Sequence, residues 1–438
     1  MQHRAGTRGQ SDGVAGVLGD LRLVKNNVKW RCGHAPTLTP CPYTPRSTPF
    51  FRAVHQTPYA PAAHPLASTT MSTFLNAYST VTRTVGGFPL EPSSFRVVTA
   101  SATDPDTREE VEHLYQFENF ILRQGFERAG TMTATLLATR NHIRNTHCHY
   151  VFEVPDTFTV EDLEVFREWA EASNSVFVMP DFSVRDPRGV DLLDPQVAYG
   201  SNAVTAPRPG SAMVRMRTIR GDLWNIGIKI PQNLPAVWSE DELLLRDAES
   251  VFNRAVTLSV LGSIAKHVSE GKSVPFETIE AGSKRTFTHL TDHERSFVDA
   301  VRRAQPADAG EVEQPVTYGS KLIDAAQPCQ DFAFAAAETL GWVVGLTLQA
   351  PREINTPNIP AMRKALRSVD REGKDASQLP MQQLDLVADN LEYSTCMRWW
   401  DVEHPQTPSL SSFISARLHA LTWLSSPHTP WDDIELDV

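Results

Sequence analysis

His147 and His149 stand two apart in a segment that reads as a strand, so both rings leave the same face, as two nitrogen ligands of a metal would. His142 lies close by, but a zinc centre needs a third ligand that no spacing here fixes. The expected role of the pair is therefore a polar strand face, with Cys148 between them turned to the core. Cys32, His34 and Cys41 form part of a zinc knuckle that lacks its fourth ligand. His289 and His293 are four apart, yet a capping box at Thr291 starts its helix after His289 and separates their faces. Gly271-Lys272-Ser273 ends like a phosphate loop, but Lys266 occupies the position that requires glycine. Ser269 and Lys272 fit S-x-x-K on an ordinary helix end, and Gly13, Gly16 and Gly19 miss the dinucleotide spacing. These patterns predict neither a metal nor a cofactor.

Acid, base and cation also occur close together near the C-terminus. A hydrolase could use Asp432 or Asp433 with His419 or His428 and Arg417, although Arg417 and His419, two apart on a helix, cannot face together. Trp342, Trp399, Trp400, Trp423 and Trp431 are concentrated in the same half as Arg246, Arg254, Arg398 and Arg417. Such residues build binding hot spots and anion pockets, and equally fill a helical core whose arginines pair at its rim, here with Asp385, Asp432 or Asp433. The expectation is inward packing; if a binding site exists, Arg246, Arg254, Arg417, Trp423, Trp431 and Asp432 are its candidates.

The elements that must position these groups follow from periodicity. Phe95 to Ala100 is β-branched and reads as a strand. Thr107 can cap a helix that carries Val111, Leu114, Phe117 and Ile121 as far as Gly125. Strands are expected over Thr131 to Thr139 and His147 to Val154, a second helix from Thr159 with Asp162, and a strand over Ser175 to Met179. That order is a ferredoxin-like βαββαβ sandwich over residues 90–194, with Asp181 to Asp194 as an added hairpin. Residues 195–209 read as a small-residue linker. Beyond Gly210 the period is helical: a helix from Ser211 with Met216, Ile219, Leu223 and Ile226, one capped by Asp247, one opened by the Thr291-Glu294 box, and an alanine-rich helix over Gln330 to Gln349. Further helices are expected over Ile359 to Val369, Leu379 to Trp400 and Ser411 to Ser425. The fold class is thus α+β, with an all-α domain of about seven helices over residues 210–438.

A chain of 438 residues exceeds one growing core, and its 41% hydrophobic and 21% charged composition is ordinary for a globular protein. Net charge is −11, which disfavours nucleic acid as a partner. No apolar run approaches the roughly 18 residues of a membrane span. The charge is uneven: residues 1–70 hold eight Lys/Arg against two acids, +6, and the remainder 33 against 50, −17. That acid-poor, proline-rich leader reads as disordered, with Met71 expected as the true start and a transit peptide as the alternative. Five scattered cysteines without a C-x-x-C pair fit reduced thiols in a cytosol.

From about Pro209 to Val438 the sequence resembles the bacterial family of domain of unknown function 4272. The resemblance rests on Gly227-Ile228 with Pro231 and Leu234-Pro235, on LRDAESVFNRAVTL (Leu245 to Leu258), LTDHERSF (Leu290 to Phe297) and ETLGWVVGL (Glu338 to Leu346), and on DNLEYSTCMRWW (Asp389 to Trp400), ARLHALTWL (Ala416 to Leu424) and the closing WDDIELD. Phe332-Ala333 stands where the family shows Trp-Arg, and Ala416 where it shows an acid, so any site built on those polar groups is weakened here. The resemblance implies a cytoplasmic bacterial protein with a helical domain and brings no activity. The expected function is non-catalytic binding of a protein partner or small ligand through the helical domain, with the C-terminal hydrolase as the alternative.

Overall fold

The computed structural model describes residues 72–99, 104–194, 196, 207–231, 234–282, 286–306, 314–347 and 356–436. The leader 1–70, most of the 195–209 linker, and with them Cys32, His34 and Cys41, lie outside the described residues.

Among the described residues, alternating apolar residues build an antiparallel sheet. Its strands are β1 (Ser72–Ser79), β2 (Ser94–Val97), β3 (Cys148–Pro155), β4 (Ser175–Val178) and β5 (Val184–Arg185), in the order β2-β3-β1-β4-β5. Because successive side chains point to opposite faces, Leu75 and Ala77 of β1 join Cys148, Tyr150 and Phe152 of β3 on one face. There they meet Leu163, Phe166 and Trp169 from a 3-10 turn (Val160–Phe166) and from the short helix Arg167–Ala172 that it runs into. The opposite face sets Tyr78, Val176 and Val178 against Leu114 and Ile121 of α1 (Pro105–Ala129) and Leu136 and Ile143 of α2 (Ala134–Arg144). The helix Arg167–Ala172 is α3.

The expected βαββαβ order is not what forms. Thr131 to Thr139, expected as a strand, supplies the start of α2: Thr133 caps it by accepting from Leu136 N–H at 3.0 Å, and Thr139 Oγ1 donates to the Thr135 carbonyl one turn back at 2.8 Å. The hydroxyls of Thr133 and Thr139 are thus satisfied by the helix's own backbone. Strand β1, in a stretch to which no element was assigned, is the middle strand of the sheet. Helix α1 is capped by Asp104, not Thr107, and runs through Gly125 to stop at the left-handed Gly130 (φ 69°). A Cβ at Gly125 would lie 2.5 Å from a Leu136 methyl, so that glycine lets α1 and α2 close on each other.

The helical part contains eight α-helices among the described residues: α4 (Gly210–Asn225), α5 (Ala248–Ser269), α6 (Phe276–Gly282), α7 (Asp292–Ala304), α8 (Ser320–Val343), α9 (Ile359–Arg371), α10 (Leu384–Glu403) and α11 (Pro408–Leu424). Asp247 caps α5 by accepting from Ser250 N–H at 2.8 Å, and the Thr291-Glu294 box opens α7. Helix α8 begins ten residues before the alanine-rich run and carries Pro328 inside it. Helices α5 and α8 make the most extensive helix pair. Gly262 permits their approach, since a Cβ there would sit 2.7 Å from the Phe334 ring. No helix among the described residues is long and apolar enough to cross a membrane.

A buried carboxylate ties the two parts together. Glu242, fully buried, accepts from Thr80 Oγ1 (2.6 Å) and Asn174 Nδ2 (3.0 Å) of the sheet part, and from Ser239 N–H (2.8 Å) of its own turn. Its backbone carbonyl accepts from His147 Nε2 (2.7 Å) and Asn145 Nδ2 (3.1 Å), and Arg208 Nη1 lies 3.8 Å from its carboxylate.

Candidate functional site

Five of the six residues expected to bind come together around the C-terminal tail. Trp431 opens a 3-10 turn (Trp431–Asp433) and is 8% exposed, its ring 5.4 Å from that of Trp423 on α11. The guanidinium of Arg254, on α5, lies over the Trp431 ring at 4.1 Å and forks onto the Glu294 carboxylate, with Nη1 at 2.9 Å and Nη2 closer. Glu294 also accepts from Thr291 N–H at 3.0 Å, so one side chain caps α7 and neutralises Arg254. Arg246 lies over Trp423 at 4.3 Å and donates to the carbonyls of Trp423 (2.8 Å), Ser426 (2.6 Å) and Thr429. Those carbonyls belong to the last turn of α11 and the turn that follows it, where a cation is favoured. Burial pulls the Arg246 guanidinium down to about 10, with Asp247 opposing. Asp432 bonds His293 Nδ1 at 2.9 Å.

Arg417 goes elsewhere, facing Glu338 of α8 at 3.9 Å. Arg398 pairs with Asp401 at 3.2 Å. The counter-ions of Arg254, Arg398 and Arg417 are thus Glu294, Asp401 and Glu338, in place of the expected Asp385, Asp432 and Asp433. His419 lies against Trp431, 4.4 Å between ring centres, and its Nε2–H donates to the Trp431 carbonyl at 3.0 Å. Burial pulls its imidazole down to about 4, so at neutral pH it is uncharged and held. Phe332, where the family shows tryptophan, packs edge-on against both His419 (5.3 Å) and Trp431 (6.4 Å).

A second cluster gathers separate pieces of the chain. Arg220 on α4 donates to the carbonyls of Pro231 (3.3 Å), Leu234 (2.8 Å) and Pro235 (3.1 Å), while its Nε meets Glu392 of α10 at 2.9 Å. Glu392 also accepts from Val237 N–H at 3.0 Å, and the loop begins at Gly227, whose φ of 89° suits glycine. These contacts make Arg220 a brace for the loop after α4.

The polar constellation of the sheet part was only half visible in sequence. In register, Arg96 of β2, His149 of β3 and Tyr78 of β1 form one cross-strand row on the α1 side. His149 Nδ1 donates to Glu110 of α1 at 2.8 Å, and its Nε2 to Asn76 Oδ1 at 3.0 Å. His113, one turn after Glu110, stacks on His149 (5.1 Å, 6° between planes) and its Nε2 accepts from the Tyr78 hydroxyl at 3.0 Å. Burial opposes the charged form of Glu110, but the hydrogen bond and charge of His149, with His113 and Arg96, outweigh it and hold the carboxyl below its usual range. Burial lowers His113 and raises Tyr78, the latter reinforced by Glu110. His147, just before β3, takes a different partner from His149: it bonds the Glu242 carbonyl, and His142 Nε2 bonds the Tyr78 carbonyl at 2.9 Å. Burial pulls those two rings to about 4 and about 3. The signal that could have found the constellation is Glu110-x-x-His113, which puts a carboxylate and an imidazole on one helix face.

Taken together, the chain is an α+β protein with an antiparallel five-stranded sheet followed by a helical part whose C-terminal tail is clamped by arginine and tryptophan. The family model described as domain of unknown function (DUF4272) matches residues 215–434, half of the chain, and the protein belongs to that family. No curated protein and no solved structure matches it.

Proposed function

We propose that this protein is a non-catalytic binding protein of the bacterial cytosol that recognises another protein through its helical part. The observation that carries this is that, among the described residues of the helical part, the three most exposed large apolar side chains fall on and just after α4. On and just after α4, Val214, Trp224 and Ile226 are 61%, 60% and 70% exposed, while Trp342, Trp423 and Trp431 are buried. Lys229 sits over the Trp224 ring at 5.1 Å, and Arg217 is exposed on the same helix. This combination fits an amphipathic partner segment that covers the indole and isoleucine and brings a carboxylate to Lys229. The arginines that would serve a small anionic ligand, Arg246 and Arg254, are engaged with carbonyls and with Glu294, which favours a protein partner over such a ligand.

A hydrolase at the C-terminus has less support. Asp432 bonds His293 and not His419, Arg417 faces Glu338, and His419 Nε2 is held by a backbone carbonyl. The test is affinity purification of the full chain, identification of the co-purifying protein, and reconstitution with that protein purified. Trp224→Ser with Ile226→Ser should weaken the reconstituted complex by about tenfold or more, the loss of roughly 1.4 kcal/mol expected from a central anchor. Unchanged affinity would remove α4 as the recognition surface.

A further inference from the structure

We propose that Glu110, His113 and His149 form a binding site for a divalent transition-metal ion of the zinc class. The three residues place a carboxylate oxygen and two imidazole nitrogens within 4.8 Å of one another. Two nitrogens and one oxygen are the donor set that zinc, cobalt(II) and iron(II) accept, with positions left for water.

The local geometry suits an ion at this point. His149 Nδ1 and Glu110 Oε1 are 2.8 Å apart, and two atoms that each lie about 2.1 Å from a shared ion stand about 3.0 Å apart in octahedral and about 3.4 Å apart in tetrahedral geometry, so the pair opens by a few tenths of an ångström to hold one. In the metal-free chain that gap holds a proton. An ion takes the proton's place: the N–H bond of His149 breaks, the proton leaves to solvent, and the freed Nδ1 lone pair points at the ion. The other ring nitrogen is already fixed, because Nε2–H donates to Asn76 Oδ1 at 3.0 Å, and metal-binding histidines are oriented by such a bond. The second oxygen of Glu110 lies 3.5 Å from Arg96 Nη1, which orients the carboxylate from the opposite side.

The surroundings combine a fixed floor with an open side. Tyr78, buried, stacks on His149 (4.4 Å) and on Phe117 (4.7 Å), so His149 cannot swing away. His113 is half-buried on the surface side of the cluster, beneath a rim of Arg96 and the exposed Glu109, which are 3.5 Å apart. To ligate through Nε2, His113 gives up the hydrogen bond it accepts from the Tyr78 hydroxyl and turns out of its parallel stack with His149. The charged and titratable groups facing the site are Glu110, Glu109, Arg96, His113, His149 and Tyr78; once the Nδ1 proton of His149 has left, two carboxylates against one guanidinium leave a negative balance for a dication. The site lies on the sheet, outside residues 215–434 that the family model matches, and it does not depend on the recognition proposed for α4.

The test is titration of the metal-free full chain with cobalt(II), read by its visible ligand-field bands, and with zinc by calorimetry. One equivalent should bind with bands of nitrogen and oxygen donors and no thiolate charge transfer. His113→Ala, at a half-buried position where the fold should survive, and Glu110→Gln should each abolish that equivalent, with circular dichroism unchanged for the former. Asn76→Ala should weaken binding by about 10–100-fold, as the loss of a ligand-orienting partner does. Absence of cobalt binding, or wild-type affinity in a folded His113→Ala chain, would overturn the proposal.

Discussion

Replacing Glu242 by glutamine removes one charge and almost no volume, so it isolates what the carboxylate does between the sheet and the helical part. Three donors converge on it, Thr80 Oγ1, Asn174 Nδ2 and Ser239 N–H, and Arg208, itself buried, lies 3.8 Å away. The amide keeps an acceptor for Thr80 and Asn174 but turns an NH2 group toward Ser239 N–H, setting donor against donor. Arg208 meanwhile loses its nearest carboxylate, and stranding one partner of a buried ion pair costs about 3–5 kcal/mol. The Arg208 contact is longer than a hydrogen bond, so the lower end applies and a loss of about 3 kcal/mol is expected. Urea unfolding followed by far-ultraviolet circular dichroism reads it as a lower midpoint at unchanged slope. A cycle with Thr80→Val should give a coupling of about 0.5–3 kcal/mol, as for residues in one network. A Glu242→Gln loss within about 0.5 kcal/mol, the scatter of surface substitutions, would refute the assignment of Glu242 as the tie.

Gly262→Ala should destabilise by about 1–3 kcal/mol in the same urea assay, because its Cβ meets the Phe334 ring at 2.7 Å. Trp431→Ala should cost about 3–5 kcal/mol by the loss of a buried indole together with its Arg254 stack, and should expose the tail to limited proteolysis earlier than in the parent chain. His142, His147 and His419 are neutral when folded, with values of about 3, 4 and 4 against 6.5 unfolded. Folded values lie below unfolded ones, so the stability they contribute is present above about pH 6.5 and is lost as pH falls toward 4. Each ring adds up to about 1.4 kcal/mol per pH unit, and thermal midpoints measured from pH 7 to 5 should fall steadily. A flat profile would mean that these rings are not held neutral.

Local rules carried several of the helix starts. The Asp247 cap, the Thr291-Glu294 box and the Thr159-Asp162 box are where side-chain chemistry placed them, since a cap depends on residues within one turn. Gly227, Pro231, Leu234 and Pro235 could be picked out as a motif, but not that Arg220 and Glu392 bind that loop from two helices. The same limit applied to the arginines: Arg254 takes Glu294, 40 residues away, and Arg417 takes Glu338, choices made by helix neighbours and not by spacing. In the sheet part Thr131 to Thr139 is expected as a strand, and helix wins because Leu136 and Ile143 find a core against α1. Glu110 and His149 are 39 residues apart, and only the register of β3 with β1 under α1 brings them together.

Hydrogen–deuterium exchange on the full chain, free and in its purified native complex, tests most directly whether recognition lies on α4 while the tryptophan and arginine cluster clamps the tail. The account predicts slow exchange around residues 423–434 in both states and new protection at residues 214–229 only in the complex. Protection gained at residues 423–434, with residues 214–229 unchanged, would contradict it.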